Sequence, residues 1–371
     1  MRRSTFVRGV GVVSPFGIGR GGFYRSVFAG ESALHPSITY RDSQGSPLCV
    51  GSFPCDLLAY VIRQRPLAES ISIIAAEEAL VESEPQQRHR FGLIVSSTKA
   101  DLSGILSPGD GFGLVGQFVD RLAAALEFGG PRLAITNACA SGLSAIAMAS
   151  RWIADDAADD ILVVGVDVLS HFVSAGFGAL FALDPNRCRP FDDSRRGLNL
   201  GEAAAALWLS AQRKTGAPVV LGCGSANDAS HVTSPSRDGR GLSLAIKRAL
   251  DQSQIEAGAI RCIHLHGTGT VYNDLMESVA LKSVFGAQQP PATANKGQFG
   301  HTLGAAGVLE TALCLEIMQR GVIPMTVGCQ KFGVDPSLNL VTKTNLAAPT
   351  VPLLKVGSGF GGISEAVVFS Q

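Results

Sequence analysis

No two of the eight cysteines, at positions 49, 55, 139, 188, 223, 262, 314 and 329, stand in a CxxC pair or at a zinc-binding spacing. A chain of 371 residues has no need of disulfide staples, so free thiols in a reducing cytoplasm are expected, most of them acting as small core residues. Also missing is an uncharged run fit for a bilayer. The longest, Leu133 to Ser150, is interrupted by Thr136, Asn137, Ser141, Gly142 and Ser144, which argues against a membrane span. The start "MRRSTFVRGVGVVSP" has arginines but no apolar segment of secretory-signal length. Net charge is lacking too: 31 basic residues balance 31 acidic ones, leaving no global field to gather nucleic acid or an anionic membrane. "GVGVVSPFGIGRGG" is glycine-rich but lacks the GxGxxG spacing, so no dinucleotide site is expected. "HLH", His264 to His266, has no third ligand nearby, so no metal is expected either.

What is present is an alternation of apolar, β-rich runs with helical patterns. "FVRGVGVVSP", "FGLIVSS", "PRLAITNA", "DILVVGVDVLS" and "AAAALWLS" read as strands, with helices at "SISIIAAEEALVES" and "SGLSAIAMASRWIADD". The rhythm then repeats through strands "PVVLGCGSA", "IRCIHLHGTG", "LLKVGSGFGG" and "EAVVFSQ" and helices "GLSLAIKRALDQS", "NDLMESVALKSVFG" and "VLETALCLEIMQRG". An α/β architecture with buried sheets follows. The polar break "QRKTG", Gln212 to Gly216, divides it into residues 1–212 and 213–371, two α/β halves of similar rhythm.

The chemistry gathers at "NACASGLSA". If "RLAITNA" is a strand and "SGLSAIAMASRW" a helix, Cys139 sits in the turn between them, at a helix N-terminus. Unpaired N–H groups there favour an anion, which predicts a lowered thiol pKa and a nucleophilic sulfur. Two histidines stand in glycine-rich contexts, His266 in "IHLHGTGT" and His301 in "NKGQFGHTLGAAG"; His264 shares the strand face of His266 and competes with it on pattern alone.

"NACASGLSAI", "HGTGTVYNDLMES", "NKGQFGHTLGAAGVLE" and "GSGFGGISEAVVF" resemble the signature blocks of the β-ketoacyl synthases, the condensing enzymes of fatty acid and polyketide synthesis. The opening "VRGVGVVSPFGIGRGGFYRSVFAGESAL" and the loop "RCRPFDDSRRGLNLGEAAAALWL" are similar to that family as well, so the likeness runs through nearly the whole chain. It implies a thiolase-like five-layer αβαβα fold of two similar halves, the first carrying the nucleophilic cysteine and the second the two histidines. Carried over by position, it makes Cys139 the acylated nucleophile, His266 and His301 the paired histidines, and Lys296 and Glu310 the residues that order the site. Thr268 and Thr270 then hold a phosphopantetheine arm. Phe360 is the gate, its N–H joining that of Cys139 in an oxyanion hole. Acyl carrier protein is the implied partner, with Arg63, Arg65 and Arg195 near the family's basic contacts. No bound cofactor is implied, the substrates being carried on the pantetheine of the carrier. A homodimer, or a heterodimer with a paralogue, is implied in the cytoplasm. The C-terminal block has no second catalytic cysteine, which favours the decarboxylating branch over the thiolases.

Some positions depart from the pattern. Only about thirty residues separate "FGLIVSS" from "PRLAITNA", Arg196 stands where the family keeps an acid, and Ile363 and Ser364 replace the usual Thr and Asn. Two other readings therefore stand beside the condensing enzyme: a noncatalytic chain-length partner, and a cysteine-dependent acyltransferase or thioesterase.

Overall fold

The computed structural model describes residues 3–55, 65–81, 85–100 and 115–371. Each strand expected from the apolar runs is present, as β1 (Thr5–Ser14), β2 (Gly92–Ser96), β3 (Arg132–Ile135), β4 (Asp160–Asp167), β5 (Ala203–Ser210), β6 (Val219–Asn227), β7 (Cys262–His264), β9 (Leu353–Gly359) and β10 (Ile363–Ser370), and a short strand that the apolar runs do not announce, β8 (Ala292–Thr293), joins them. They lie in one continuous sheet in the order β8-β7-β9-β10-β6-β1-β5-β4-β2-β3. The strands before Gln212 and those after it each follow the same internal order, third-second-fourth-fifth-first. Short antiparallel pairing of Thr5 with Val220 and Phe6 with Val219 joins the two sets at β1 and β6.

The sequence explains the layering. β4, "DILVVGVD", and β5, "AAAALWLS", are buried at nearly every position, as strands covered on both faces must be. Ala203 and Ala205 of β5 enter one core cluster, while Ala204 and Ala206 enter another on the opposite face. The helices that frame the sheet and the site include α1 (Leu67–Ala79), α2 (Ser141–Ala154), α3 (His171–Ala179), α4 (Arg240–Ser253), α5 (Val271–Phe285) and α6 (Ala306–Arg320). Helices α2 and α6 pack on each other and on strands from both sets, forming the middle layer. Outside, α1 covers β1 and β5, and α4 covers β6 and β10. Helix, sheet, helix, sheet, helix is the five-layer arrangement of the thiolase fold.

The core does not divide at the polar break. One cluster joins Val12, Ile94 and Val163 to Cys262, Leu353 and Phe369, so the two strand sets share an interior built around α2 and α6. Those helices cross near their N-termini at Gly142 and Gly307, which brings the turn before each helix to the same place. The turn before α2 holds Cys139, and the turn before α6 follows His301.

Candidate active site

Cys139 occupies a single 3₁₀ turn, Ala138–Ala140, between β3 and α2. Ala138 takes a left-handed φ of 47°, the strained elbow that reverses the chain at this point. Ser141 Oγ steadies it by accepting from Asn137 N at 2.8 Å and donating to Ala138 O at 2.5 Å. The sulfur therefore lies where the strand and helix pattern places it. Its acidity does not follow the helix-terminus argument. Burial pushes the Cys139 thiol up to about 12, and the nearby Lys296 ammonium opposes that only in part. The desolvation cost of a thiolate in an apolar pocket outweighs the dipole of one helix end.

His266 follows β7. Its main-chain N–H donates to Glu277 Oε1 at 2.7 Å, the N–H of Gly267 donates to Oε2 at 2.7 Å, and Asn273 Nδ2 donates to the same oxygen. The neighbouring Asp274 accepts from the N–H groups of Thr268, Gly269 and Phe191. These two acids of α5 shape the "HGTGT" turn. Their signal was available in "NDLMES", where acids three apart face back along the first turns of a helix. Thr268 and Thr270 place their hydroxyls 2.9 Å apart on the cavity wall.

His301 is held through its backbone, N–H to Asn199 O at 2.7 Å and carbonyl from Gly201 N at 3.0 Å. Its ring stands 5.1 Å from that of His266, centroid to centroid, with the planes at 86°. Burial, then the charge of Lys296, pushes His301 down to about 3 and His266 well below the usual imidazole value, so both are neutral near pH 7. Lys296 Nζ lies 3.4 Å from His266 Nδ1 and 2.6 Å from its carbonyl oxygen. An ammonium can only donate, which leaves the proton of neutral His266 on Nε2. Lys296 also meets Glu310 Oε1 at 2.5 Å. Burial works against the Glu310 charge, but Lys296 and Lys355 overcome it and hold the carboxyl at about 2.

Cys139, His266, His301, Thr268, Thr270 and Phe360 line one cavity of about 300 Å³. Phe360 stacks on Phe177 of α3, centroids 5.6 Å apart and planes at 25°. The adjoining Gly359 lies so close to the elbow that a Cβ there would meet Cys139 N at 3.2 Å. His264, the competing histidine, is fully buried, does not reach this cavity, and bonds through Nδ1 to Leu265 O.

The basic contacts resolve differently from the sequence expectation. Arg195 is 8% exposed and donates to the carbonyls of Asp192, Gly333 and Val271, which removes it from the surface. Its neighbour Arg196 is exposed and lines the cavity mouth. Arg65 is half exposed and paired with Glu69, while Arg63 lies outside the described residues.

Residues 109–215 match the family model "Beta-ketoacyl synthase, N-terminal domain", and residues 217–330 match "Beta-ketoacyl synthase, C-terminal domain". The chain belongs to the β-ketoacyl synthase family. It is 30% identical to the tetracenomycin polyketide synthase ketoacyl synthase alpha subunit of Streptomyces glaucescens, over 100% of this chain and 97% of that one. It is 27% identical to 3-oxoacyl-[acyl-carrier-protein] synthase 2 of Coxiella burnetii, over 100% and 99%. Among solved structures it is similar to the ishigamide ketosynthase/chain length factor, with a TM-score of 0.89, 28% identity and full coverage of both chains. A type II polyketide acyl-carrier protein in complex with its ketosynthase, bound to the hexaketide, gives 0.87 at 25%, again with full coverage.

Proposed function

We propose that this β-ketoacyl synthase catalyses a decarboxylative Claisen condensation between an acyl group held on Cys139 and malonyl-acyl carrier protein. The observation that carries the reading is the meeting of the Cys139 elbow with two neutral imidazoles, His266 and His301, on one cavity wall. Residues 1–212 then supply the nucleophile and 213–371 the histidines. The phosphopantetheine arm of the carrier threads past Thr268 and Thr270, and a ketosynthase-like second subunit completes a cytoplasmic dimer.

The chemistry divides into two transfers. In the first, Cys139 Sγ attacks the thioester carbonyl of the acyl carrier, and the carrier departs as a thiol bearing the proton that Cys139 gives up. The oxyanion between these states is met by the N–H groups of Cys139 and Phe360, donors fixed by the elbow and by the loop that Gly359 presses against it. In the second, the malonyl Cα–carboxylate bond breaks and carbon dioxide leaves, its electron pair remaining as an enolate. Negative charge then develops on the thioester oxygen. Neutral imidazole N–H groups stabilise it without a strong base, which suits a step that removes no proton. The carbanion forms the new C–C bond at the acyl carbonyl and expels the Cys139 thiolate, which is reprotonated.

Incubation with an acyl-carrier thioester should add one acyl mass to the wild-type chain and none to Cys139→Ala. With malonyl carrier present, the product should be two carbons longer than the acyl donor. An adduct that is only hydrolysed or passed on, never lengthened, would assign the site to acyl transfer instead; no adduct at all would make the chain a noncatalytic partner.

A further inference from the structure

Glu310 is gripped from both sides. Lys296 Nζ meets its Oε1 at 2.5 Å and Lys355 Nζ meets its Oε2 at 2.6 Å, all three side chains being essentially inaccessible to solvent. Lys296 contacts His266 and Glu310 pairs with Lys296, while the condensation described above gives Lys355 no part. Lys355 lies inside β9 in the otherwise apolar run "LLKV", in parallel register with His264 of β7. A lysine in such a strand is costly to bury, and the carboxylate it contacts already has a partner.

Hydrogen-bond counting suits an ammonium at Lys355. Lys355 Nζ has three acceptors, Glu310 Oε2 at 2.6 Å, Val356 O at 2.8 Å and Leu265 O at 3.1 Å, matching the three N–H bonds of an ammonium. Lys296 Nζ donates to Glu310 Oε1 and His266 O and lies 3.4 Å from His266 Nδ1; burial, with the Lys355 charge, lowers its pKa, and the Glu310 carboxylate opposes that and favours the ammonium. Two ammonium groups and one carboxylate leave the buried cluster with a net positive charge beside the paired imidazoles.

Resting on the ketosynthase reading, we propose that Lys355 is a positioning residue: by occupying the second oxygen of Glu310 it leaves the Lys296 charge uncancelled beside His266 and His301. That surplus charge adjoins the rings assigned to the enolate oxygen, although neither lysine lines the cavity itself. The field reaches the rings, since the charge of Lys355 is among the causes that press His266, His301 and His264 toward their neutral forms, after burial in each case. The other titratable groups around Lys355 are His264 of β7 and Cys314 of α6. Those around the imidazoles are Lys296, Glu310, His264, Cys139, and Glu277, which anchors the His266 main chain.

The test measures malonyl-carrier decarboxylation from pH 5 to pH 8 in wild type, Lys355→Met and Lys355→Gln. The Gln variant keeps a neutral donor toward the carbonyls should the Met variant not fold. Removing the charge should lower kcat about tenfold with KM within twofold, and the deficit should widen toward pH 5, because the rings then take up a proton more readily. The double variant Lys355→Met/Glu310→Gln restores the net positive charge and should recover most of the lost kcat. A lysine that merely props the strand predicts the opposite, a double variant worse than the single. A pH profile parallel to wild type, or a further loss in the double variant, overturns the proposal. Histidine ring titration by NMR reads the same charge without turnover: ring pKa values unmoved in Lys355→Met and Lys355→Gln overturn it too. A wild type whose rings respond to Lys355 but which never decarboxylates malonyl thioester would instead sink the ketosynthase reading.

Discussion

Gly142 and Gly307 touch backbone to backbone. A Cβ on Gly307 would lie 2.5 Å from Leu143 N, and one on Gly142 would lie 2.7 Å from Val308 N. Real Cβ atoms do not tolerate either distance, so an added methyl must force α2 and α6 apart. Overpacking of this kind costs about 1–3 kcal/mol. Because the crossing also fixes the Cys139 elbow against the turn that follows His301, Gly307→Ala should lose more condensing activity than the lost stability explains. Urea unfolding beside single-turnover condensation separates the two. A folded variant with wild-type turnover would show that this crossing does not set the site.

Gly359 makes a second such contact, at the oxyanion side. A Cβ there would stand 3.1 Å from Ala140 N and from Asn137 O, and 3.2 Å from Cys139 N. These distances are tight without being impossible, so Gly359→Ala should fold and shift the Phe360 loop by a fraction of an ångström. If the Cys139 and Phe360 N–H groups serve the oxyanion, acyl transfer to Cys139 should slow by roughly 10²- to 10³-fold, the loss typical of one misplaced donor. The rate of adduct formation from an acyl thioester, followed by mass spectrometry, reads this directly.

Glu365 ties β10 to the elbow. Its Oε1 accepts from Ser144 Oγ at 2.7 Å, and Ser144 accepts in turn from Asn137 Nδ2 at 3.1 Å. Burial, opposed by the Ser144 bond, raises the carboxyl from 4.5 to about 6. The folded chain therefore holds this proton more tightly than the unfolded one. The stability it contributes is full below about pH 4.5 and is lost as pH rises through about 6, a change of about 2 kcal/mol at most. Glu365→Gln keeps an acceptor for Ser144 and carries no proton to lose. The variant should gain on wild type between pH 4.5 and 7 and hold that gain at pH 8. Denaturant titrations at pH 4.5, 6 and 8 check it, and a difference independent of pH would place the carboxyl in contact with solvent.

The elements were legible in the sequence because apolar runs of strand and helix period recur at even spacing, and Cys139 because a strand end meets a run of small residues. The halves do not look alike residue by residue, yet they share one strand order; topology tolerates substitution that erases visible repetition. What the sequence could not supply was convergence. Lys355 reads as an odd polar residue in a strand until the parallel register of β7 and β9 sets it beside His264 and across from Glu310. Phe177 reads as an ordinary apolar residue of a helix until its ring is found under Phe360. The acidity of Cys139 departs from the sequence expectation for a related reason: a helix terminus is visible in a sequence, whereas the depth of burial that overrides it is a property of the packed molecule.

Arg195 and Arg196 stand adjacent in the chain and are opposite in environment. The first spends its guanidinium on carbonyls of its own loop, of Gly333 and of Val271; the second is exposed on the wall of the cavity mouth with Thr233, Ser234, Thr268 and Thr270. An arm that ends in a phosphate and threads this cavity would bring its dianion to the mouth, where a guanidinium is the matching group. Arg196→Glu should therefore raise KM for an acyl-phosphopantetheine donor about tenfold and leave KM for the unphosphorylated acyl-pantetheine unchanged. Arg195→Met should instead lower stability by about 1–3 kcal/mol, because three carbonyls lose their donor. Equal effects of Arg196→Glu on both donors would mean that the arginine acts on the thiol end of the arm or on the loop, and not on the phosphate.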